Sequence, residues 1–199
     1  MKVLIIKPSS LGDVVHSLRI ADLLTQEIPK IEIHWVIKSG LEGILDASGI
    51  ISRNYIFYRG GGFFKFLKLC KAVRKEKYDY ALDMQGLLRS AVLTKIARSE
   101  KKFGRADGRE FSTFFYKCIG EKSREKVIHA IDRLLPFVEL FGIKYCKSLP
   151  LKFPNSQILE GSNLSSIQRS PYILIFPESR RPEKEWPNFE DLVNLINRK

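Results

Sequence analysis

Short apolar runs alternate along the chain with longer stretches whose apolar residues recur every three or four positions. Val3–Ile6 is apolar throughout, and Glu32–Ile37 (EIHWVI), Asn54–Tyr58 and Tyr78–Leu82 (YDYAL) read as further strands. Between and after them, Asp13–Glu27 (ended by Pro29), Phe63–Lys77 and Leu87–Arg98 carry helical spacing. Strand, helix and strand in succession predict an α/β fold with a mainly parallel sheet and helices on both faces. Ligands of such sheets sit beyond the carboxyl ends of the strands. Lys7–Asp13 and Asp83–Arg89 occupy that edge.

The later chain changes character. Glu125–Gly142 keeps a helical pattern but contains Pro136, which should kink or break it. From about Tyr145 to Ser170 periodicity fades and Pro, Ser, Asn and Gly accumulate, as in a linker. Tyr172–Phe176 (YILIF) is then a predicted strand, 177–187 a loop and Phe189–Asn197 a helix. "VLIIKPSS" and "ILIFPESR" echo each other, so the expected organisation is a domain over 1–145, a linker over 146–170 and the start of a second domain over 171–199. One strand and one helix cannot bury a core of their own, so the reading expects this second domain to be incomplete.

Composition narrows the class. With 44% hydrophobic and 28% charged residues in 199, the chain is globular rather than disordered. No apolar run is long enough to span a bilayer, and the first strand lacks the length and cleavage pattern of a signal peptide, which predicts a cytoplasmic protein. Cys70, Cys118 and Cys146 are scattered, as are His16, His34 and His129, with neither a disulfide framework nor metal-ligand spacing. The net charge of +12 favours an anionic partner.

Four stretches carry candidate chemistry. Ser10-x-x-Asp13 fits a capping box, yet it places a carboxylate on the crevice side of the first turn. Asp83 and Gln85, on a similar strand-to-helix turn, fit a polar ligand or the loop backbone equally well. In Phe63–Lys77, Lys65, Lys68, Lys71 and Lys75 cluster on one helical face and Phe63, Phe66, Leu67, Cys70 and Val73 on the other. That pattern is usually a solvated helix, but with so little acid nearby it also suits an anionic membrane surface better than nucleic acid. The stretch 176–187 (FPESRRPEKEWP) places cations and backbone N–H groups after a strand, where a diphosphate could sit.

Together "VLIIKPSSLGDVVHSL", "DYALDMQGLLRSA", "GREFSTFFY", "HAIDRLLPFVELFGI" and "SRRPEKEWP" resemble the lipopolysaccharide heptosyltransferases. These are two-domain, Rossmann-like ADP-heptose glycosyltransferases of the GT-B type (family 9), and the resemblance is strongest to the type I group. It implies inverting transfer of L-glycero-D-manno-heptose from ADP-heptose to Kdo of the lipid A–Kdo inner core. It further implies Asp13 as general base, Ser179, Arg180 and Lys184 as donor-binding residues, and an arginine at position 109 as an acceptor-side cation. Arg180 departs from the hydroxyl residue often found at its position. With the crevice and charge readings, Ser10, Lys65 and Lys68 join Arg109 as candidate acceptor contacts. The resemblance implies neither a metal nor another cofactor. It places a monomer on the cytoplasmic face of the inner membrane, acting on a lipid-linked acceptor and not on nucleic acid. Two alternatives stay open: a related enzyme adding a later core heptose, and an inactive remnant that binds anionic glycolipid.

Overall fold

The computed structural model describes residues 1–122, 129–144, 151–154, 173, 175, 177, 183 and 185–197. The chain divides into two compact units, Met1–Ser156 and Gln157–Lys199. In the first, six strands form one sheet: β1 (Lys2–Ile6), β2 (Glu32–Lys38), β3 (Arg53–Phe57), β4 (Tyr80–Asp83), β5 (Lys101–Arg105) and β6 (Lys117–Ile119). Every pairing is parallel, in the order β3-β2-β1-β4-β5-β6, which is the doubly wound Rossmann order with its switch point between β1 and β4.

The run of apolar residues in β1 is explained by burial on both faces. Val3 and Ile5 point to one core, with Trp35 and residues of α1 (Leu11–Glu27), α2 (Glu42–Ser48) and α5 (Leu135–Glu139). Leu4 and Ile6 point to the other, with Val36 and residues of α3 (Gly62–Arg74) and α4 (Leu88–Ile96). Parallel pairing puts every strand's carboxyl end on one edge, where the turns after β1 and β4 lie side by side through the Ile6–Asp83 register.

Several boundaries differ from the sequence reading. α1 starts at Leu11, so Asp13 lies inside its first turn rather than opening the helix. β5, β6 and α2 were not expected: β5 (KKFGR) is largely polar, β6 has only three residues, and α2 has one fully buried apolar residue, Leu45. The helix expected over Glu125–Gly142 is, in its described part, a 3₁₀ turn at Asp132–Leu134 followed by the short α5. Pro136 stands in the first turn of α5, where its missing N–H is harmless, and not in a helix interior.

On α3 the expected apolar face is corrected. Leu69 and Val73 are buried and Phe66 and Cys70 half-buried, whereas Phe63 and Leu67 are exposed. The stripe that meets the sheet runs 66-69-70-73, and the first turn of the helix lies outside it.

In the second unit α6 (Phe189–Asn197) occupies the expected range, with the Trp186 and Phe189 rings edge to face at 5.1 Å. The expected strand Tyr172–Phe176 and linker 146–170 lie mostly outside the described residues. Leu151 and Phe153, inside that expected linker, pack against the core of the first unit.

Candidate active site

Asp13 stands on the turn after β1, at the switch-point edge. Its Oδ2 accepts hydrogen bonds from the backbone N–H (3.1 Å) and the hydroxyl (2.8 Å) of Ser10, and the Lys7 ammonium lies 3.9 Å from the same oxygen. All these contacts fall on Oδ2. Among the described residues Oδ1 has no hydrogen-bond donor, and the side chain is 45% exposed. The capping box expected from Ser10-x-x-Asp13 therefore exists, and it occupies one oxygen of two.

Lys7 is the unusual partner, an ammonium with 3% side-chain exposure. Burial pushes its pKa down to about 8, with the Asp13 carboxylate pulling the other way and the Arg105 guanidinium adding to the drop. Burial works against the Asp13 charge as well, but Lys7 and the two Ser10 hydrogen bonds outweigh it and hold the carboxyl below its ordinary range. A group held below its ordinary pKa is ionised at neutral pH, which is the state a proton acceptor needs.

Linkage gives a test of this pair. Between about 8 and an ordinary lysine's 10.5 the folded protein binds fewer protons at Lys7 than the unfolded chain does. Stability contributed by this group therefore rises with pH across that window and is flat below it. In Lys7→Met that rise is expected to vanish from urea midpoints measured against pH, and the Asp13 carboxyl, followed by NMR, is expected to titrate higher. An unshifted Asp13 in the variant would mean that Ser10 and the Arg105 guanidinium set its charge without Lys7.

The turn after β4 has a different role from its neighbour. Asp83 is fully buried, and Oδ1 accepts from the N–H groups of Gln85 and Gly86 (both 2.9 Å) while Oδ2 accepts from the Ser90 hydroxyl (2.9 Å). Burial raises its carboxyl to about 6 against those three donors. Of the two readings open for Asp83, the structure selects loop support. Gly86 is at φ 72°, and a Cβ there would lie 3.2 Å from Gly108 Cα, so the turn after β4 and the loop after β5 meet backbone to backbone. Arg109 N–H donates to Gly86 O at 2.8 Å across that contact.

A cavity of about 530 Å³ opens between these turns. It is lined by Pro8 and Ser9 after β1, Lys38 at the end of β2, Arg59 after β3, Gln85 and Arg89 after β4, and Glu110 after β5. Gln85 bridges the switch point, accepting from Ser9 N–H at 3.3 Å. Lys38, Arg59 and Arg89 against the single Glu110 make the cavity suited to an anion. These three cations were not singled out from the sequence, because each belongs to a different element (Lys38 to the end of β2, Arg59 to the loop after β3, Arg89 to α4) and only the strand order gathers them.

The sequence-predicted acceptor residues are placed as follows. Ser10 is exposed and its hydroxyl is given to Asp13. Arg109 is exposed beside the cavity-lining Glu110, but its side chain is not in the lining. Lys65 and Lys68 line a separate shallow cavity with Tyr55 and Tyr58, Lys65 Nζ sitting 4.8 Å from the centre of the Tyr58 ring. The donor-side Ser179, Arg180 and Lys184 lie outside the described residues.

Next to the Asp13 turn, Arg105 pairs with Asp107 at 2.7 Å, and Arg133 reaches the same carboxylate at 2.6 Å. This network holds the region after β5 against the stretch before α5. His16 and His129, scattered in sequence, meet edge to face with ring centres 5.6 Å apart. Among the described residues no group of three His, Cys, Asp or Glu side chains is placed to hold a metal ion, and no helix is long and apolar enough to cross a membrane.

Comparison with known proteins finds relatives of the whole chain. Lipopolysaccharide heptosyltransferase 1 of Salmonella typhimurium is 29% identical over 98% of this chain, and that of Escherichia coli K12 is 28% identical over 98%. The chain spans about 65% of the length of each. The solved structure of E. coli heptosyltransferase WaaC with ADP superposes with a TM-score of 0.70 at 26% identity, covering 98% of this chain and 64% of that one. WaaC with ADP-2-deoxy-2-fluoro heptose gives 0.71 at 27%, over 98% and 65%. The family model of glycosyltransferase family 9 (heptosyltransferase) matches residues 66–199, two thirds of the sequence, and the chain belongs to that family.

Proposed function

We propose that residues 1–145 form the acceptor side of an inverting transferase that moves L-glycero-D-manno-heptose from ADP-heptose to Kdo of the lipid A–Kdo inner core. The observation that carries the reading is the division of labour at Asp13. Oδ2 holds the helix start and the Lys7 charge, while Oδ1 is left for a substrate hydroxyl; Asp13 itself is outside the cavity lining, on the helix that follows the lining residues Pro8 and Ser9. The names of the enterobacterial relatives and the ADP and ADP-sugar ligands of WaaC support the sugar and the donor.

In this reading Oδ1 of Asp13 takes the proton of the attacking hydroxyl as that oxygen bonds to the anomeric carbon and the bond to the diphosphate breaks. A positioned carboxylate contributes about 10²–10⁴-fold to such a step. Lys38, Arg59 and Arg89 hold the acid groups of the acceptor, oriented by charge-assisted hydrogen bonds. Ser179, Arg180 and Lys184 meet the departing ADP, their cations balancing its growing negative charge. The chain works as a monomer at the cytoplasmic face of the inner membrane.

Binding and transfer test different halves of this. Calorimetric titration with deacylated, Kdo-bearing lipid A backbone is expected to give binding that weakens as salt rises. Arg89→Glu, at an exposed position, is expected to weaken it about tenfold or more, since it turns one of three attractive charges into a repulsive one. Transfer from ADP-heptose is expected when the chain is joined to the segment of the E. coli relative beyond its match. Absence of acceptor binding, or transfer that needs a heptose already on the acceptor, would overturn the assignment to the first core heptose.

A further inference from the structure

Two pairs of aromatic rings stand in solvent on the loops that flank the cationic cavity. Phe63 and Phe64 open α3 at 69% and 85% exposure, with ring centres 6.2 Å apart. Phe111 and Phe114, 78% and 80% exposed, stack at 6.3 Å between β5 and β6. A ring of this size left in water forgoes about 1.5–3 kcal/mol of burial, and exposed apolar surface gathered in one region marks a place that is covered in use. Both pairs neighbour the cavity lining: Arg59 precedes the first on its loop and Glu110 is adjacent to the second. Glu110 accepts from Leu88 N–H at 3.1 Å, fixing the second pair to the start of α4. Glu110 and Phe111 are both left-handed, at φ 55° and 60°, a conformation that costs a non-glycine residue about 1–2 kcal/mol. The local backbone thus accepts strain where Phe111 is exposed.

Charge identifies the occupant. Between Tyr58 and Lys75 the sequence carries Arg59, Lys65, Lys68, Lys71, Arg74 and Lys75 and no acid. The next acid, Glu76, is paired with Lys2 at 2.9 Å and Arg53 at 2.7 Å. Cations beside exposed rings match a boundary that is anionic in one layer and apolar in the next. Stacked nucleobases fit less well, because Phe111 and Phe114 already cover one face of each other and Phe63 and Phe64 stand edge to face.

We propose that the Phe63–Phe64 and Phe111–Phe114 pairs anchor the protein in an anionic phospholipid bilayer, with Lys65, Lys68 and Lys71 on the headgroups. The cavity mouth is thereby held at headgroup level. This deepens the acceptor reading above, on which it rests for what the cavity receives, since a lipid-borne sugar is presented at that level. It also separates two sets of cations: those of α3 for the membrane, and Lys38, Arg59 and Arg89 for the acceptor.

The test is flotation of the 199-residue chain with vesicles of phosphatidylglycerol and phosphatidylcholine that contain no lipopolysaccharide. The chain is expected to float, and to float less in pure phosphatidylcholine or at high salt. Phe63→Ser with Phe64→Ser is expected to lower the partition coefficient about tenfold or more, and the matching pair at 111 and 114 similarly. Melting temperature serves as the control and is expected to hold in the 63/64 pair, whose rings make little contact with the core. Failure to float, or flotation unchanged by both pairs, overturns the anchor. So does tight binding of a single-stranded oligonucleotide lost in the same variants. Deacylated acceptor, titrated in parallel, keeps the two proposals apart: binding intact with unchanged flotation sinks the anchor alone, and flotation intact without acceptor binding sinks the acceptor reading alone.

Discussion

Asp13→Asn is expected to lower heptosyl transfer about 10²–10⁴-fold, or ~3–5 kcal/mol of transition-state stabilisation, and to lower the melting temperature only by what the buried Lys7 ammonium loses with its charge partner. The substitution keeps size and shape and leaves a carbonyl oxygen that can accept from Ser10 as Oδ2 does now. It loses the basic oxygen opposite, where an amide NH₂ then meets the substrate hydroxyl. Asp13→Ala removes both functions and is expected to cost an additional ~0.5–1.5 kcal/mol of stability for each hydrogen bond lost from Ser10. Rates measured in the chain joined to the remaining segment of the E. coli relative, beside thermal melts of each variant, separate the roles. A fully active Asp13→Asn would leave the carboxylate as a cap alone. An Asp13→Asn variant that still melts early when combined with Lys7→Met, which removes the unpaired ammonium, would show that the two oxygens are not independent.

The largest expected loss of stability is at Trp35. It is fully buried in β2, and its indole N–H donates to Lys7 O at 3.1 Å. Trp35→Ala removes the largest fully buried side chain of the structure and leaves a cavity under the turn that carries Asp13. The expected cost is about 3–5 kcal/mol, which for a chain of this size lowers the melting temperature by roughly 6–20 °C. Trp35→Phe retains most of the volume and leaves the buried carbonyl unmatched, for about 1–3 kcal/mol. Urea unfolding gives both values. In the Phe variant the amide signals of Ser9–Asp13 are expected to move, because the indole pins the backbone from which that turn departs. A loss below about 1 kcal/mol in Trp35→Ala would contradict its place in the core.

The proposed anchor and the proposed acid–base site draw on opposite consequences of the same fold. β1 and β4 carry the Asp13 and Asp83 turns next to each other, so the buried charges can be satisfied locally. The helices and loops that follow β3 and β5 reach outward from the same edge and hold the exposed rings. Lys7 is central to the Asp13 site: a buried ammonium is costly unless paired, and its pairing helps keep the Asp13 carboxylate ionised.

What the sequence by itself determined was the repeated unit. Continuous apolar runs in β1 and β2 and the 3.6-residue spacing of α1, α3 and α4 are dictated by burial on two faces or one, so they can be read without neighbours. Ser10 and Asp13 were legible too, since a capping box is a contact between residues three apart. Weakly buried elements were not: Lys101–Arg105 and Lys117–Ile119 are strands because β4 and β5 offer them partners, not because of their own composition. Likewise the sequence could name a basic helix but not its exposed rings, because which helical stripe meets a sheet depends on where the helix begins relative to it. Lys38, Arg59, Arg89 and Glu110 are remote in the chain and mean little there. Only the parallel order β3-β2-β1-β4-β5, which stacks the carboxyl ends of five strands along one edge, brings them around one cavity with Pro8 and Ser9 of the segment after β1. Position along a strand is local information, whereas the company a side chain keeps is set by strand order, and strand order is a property of the folded sheet.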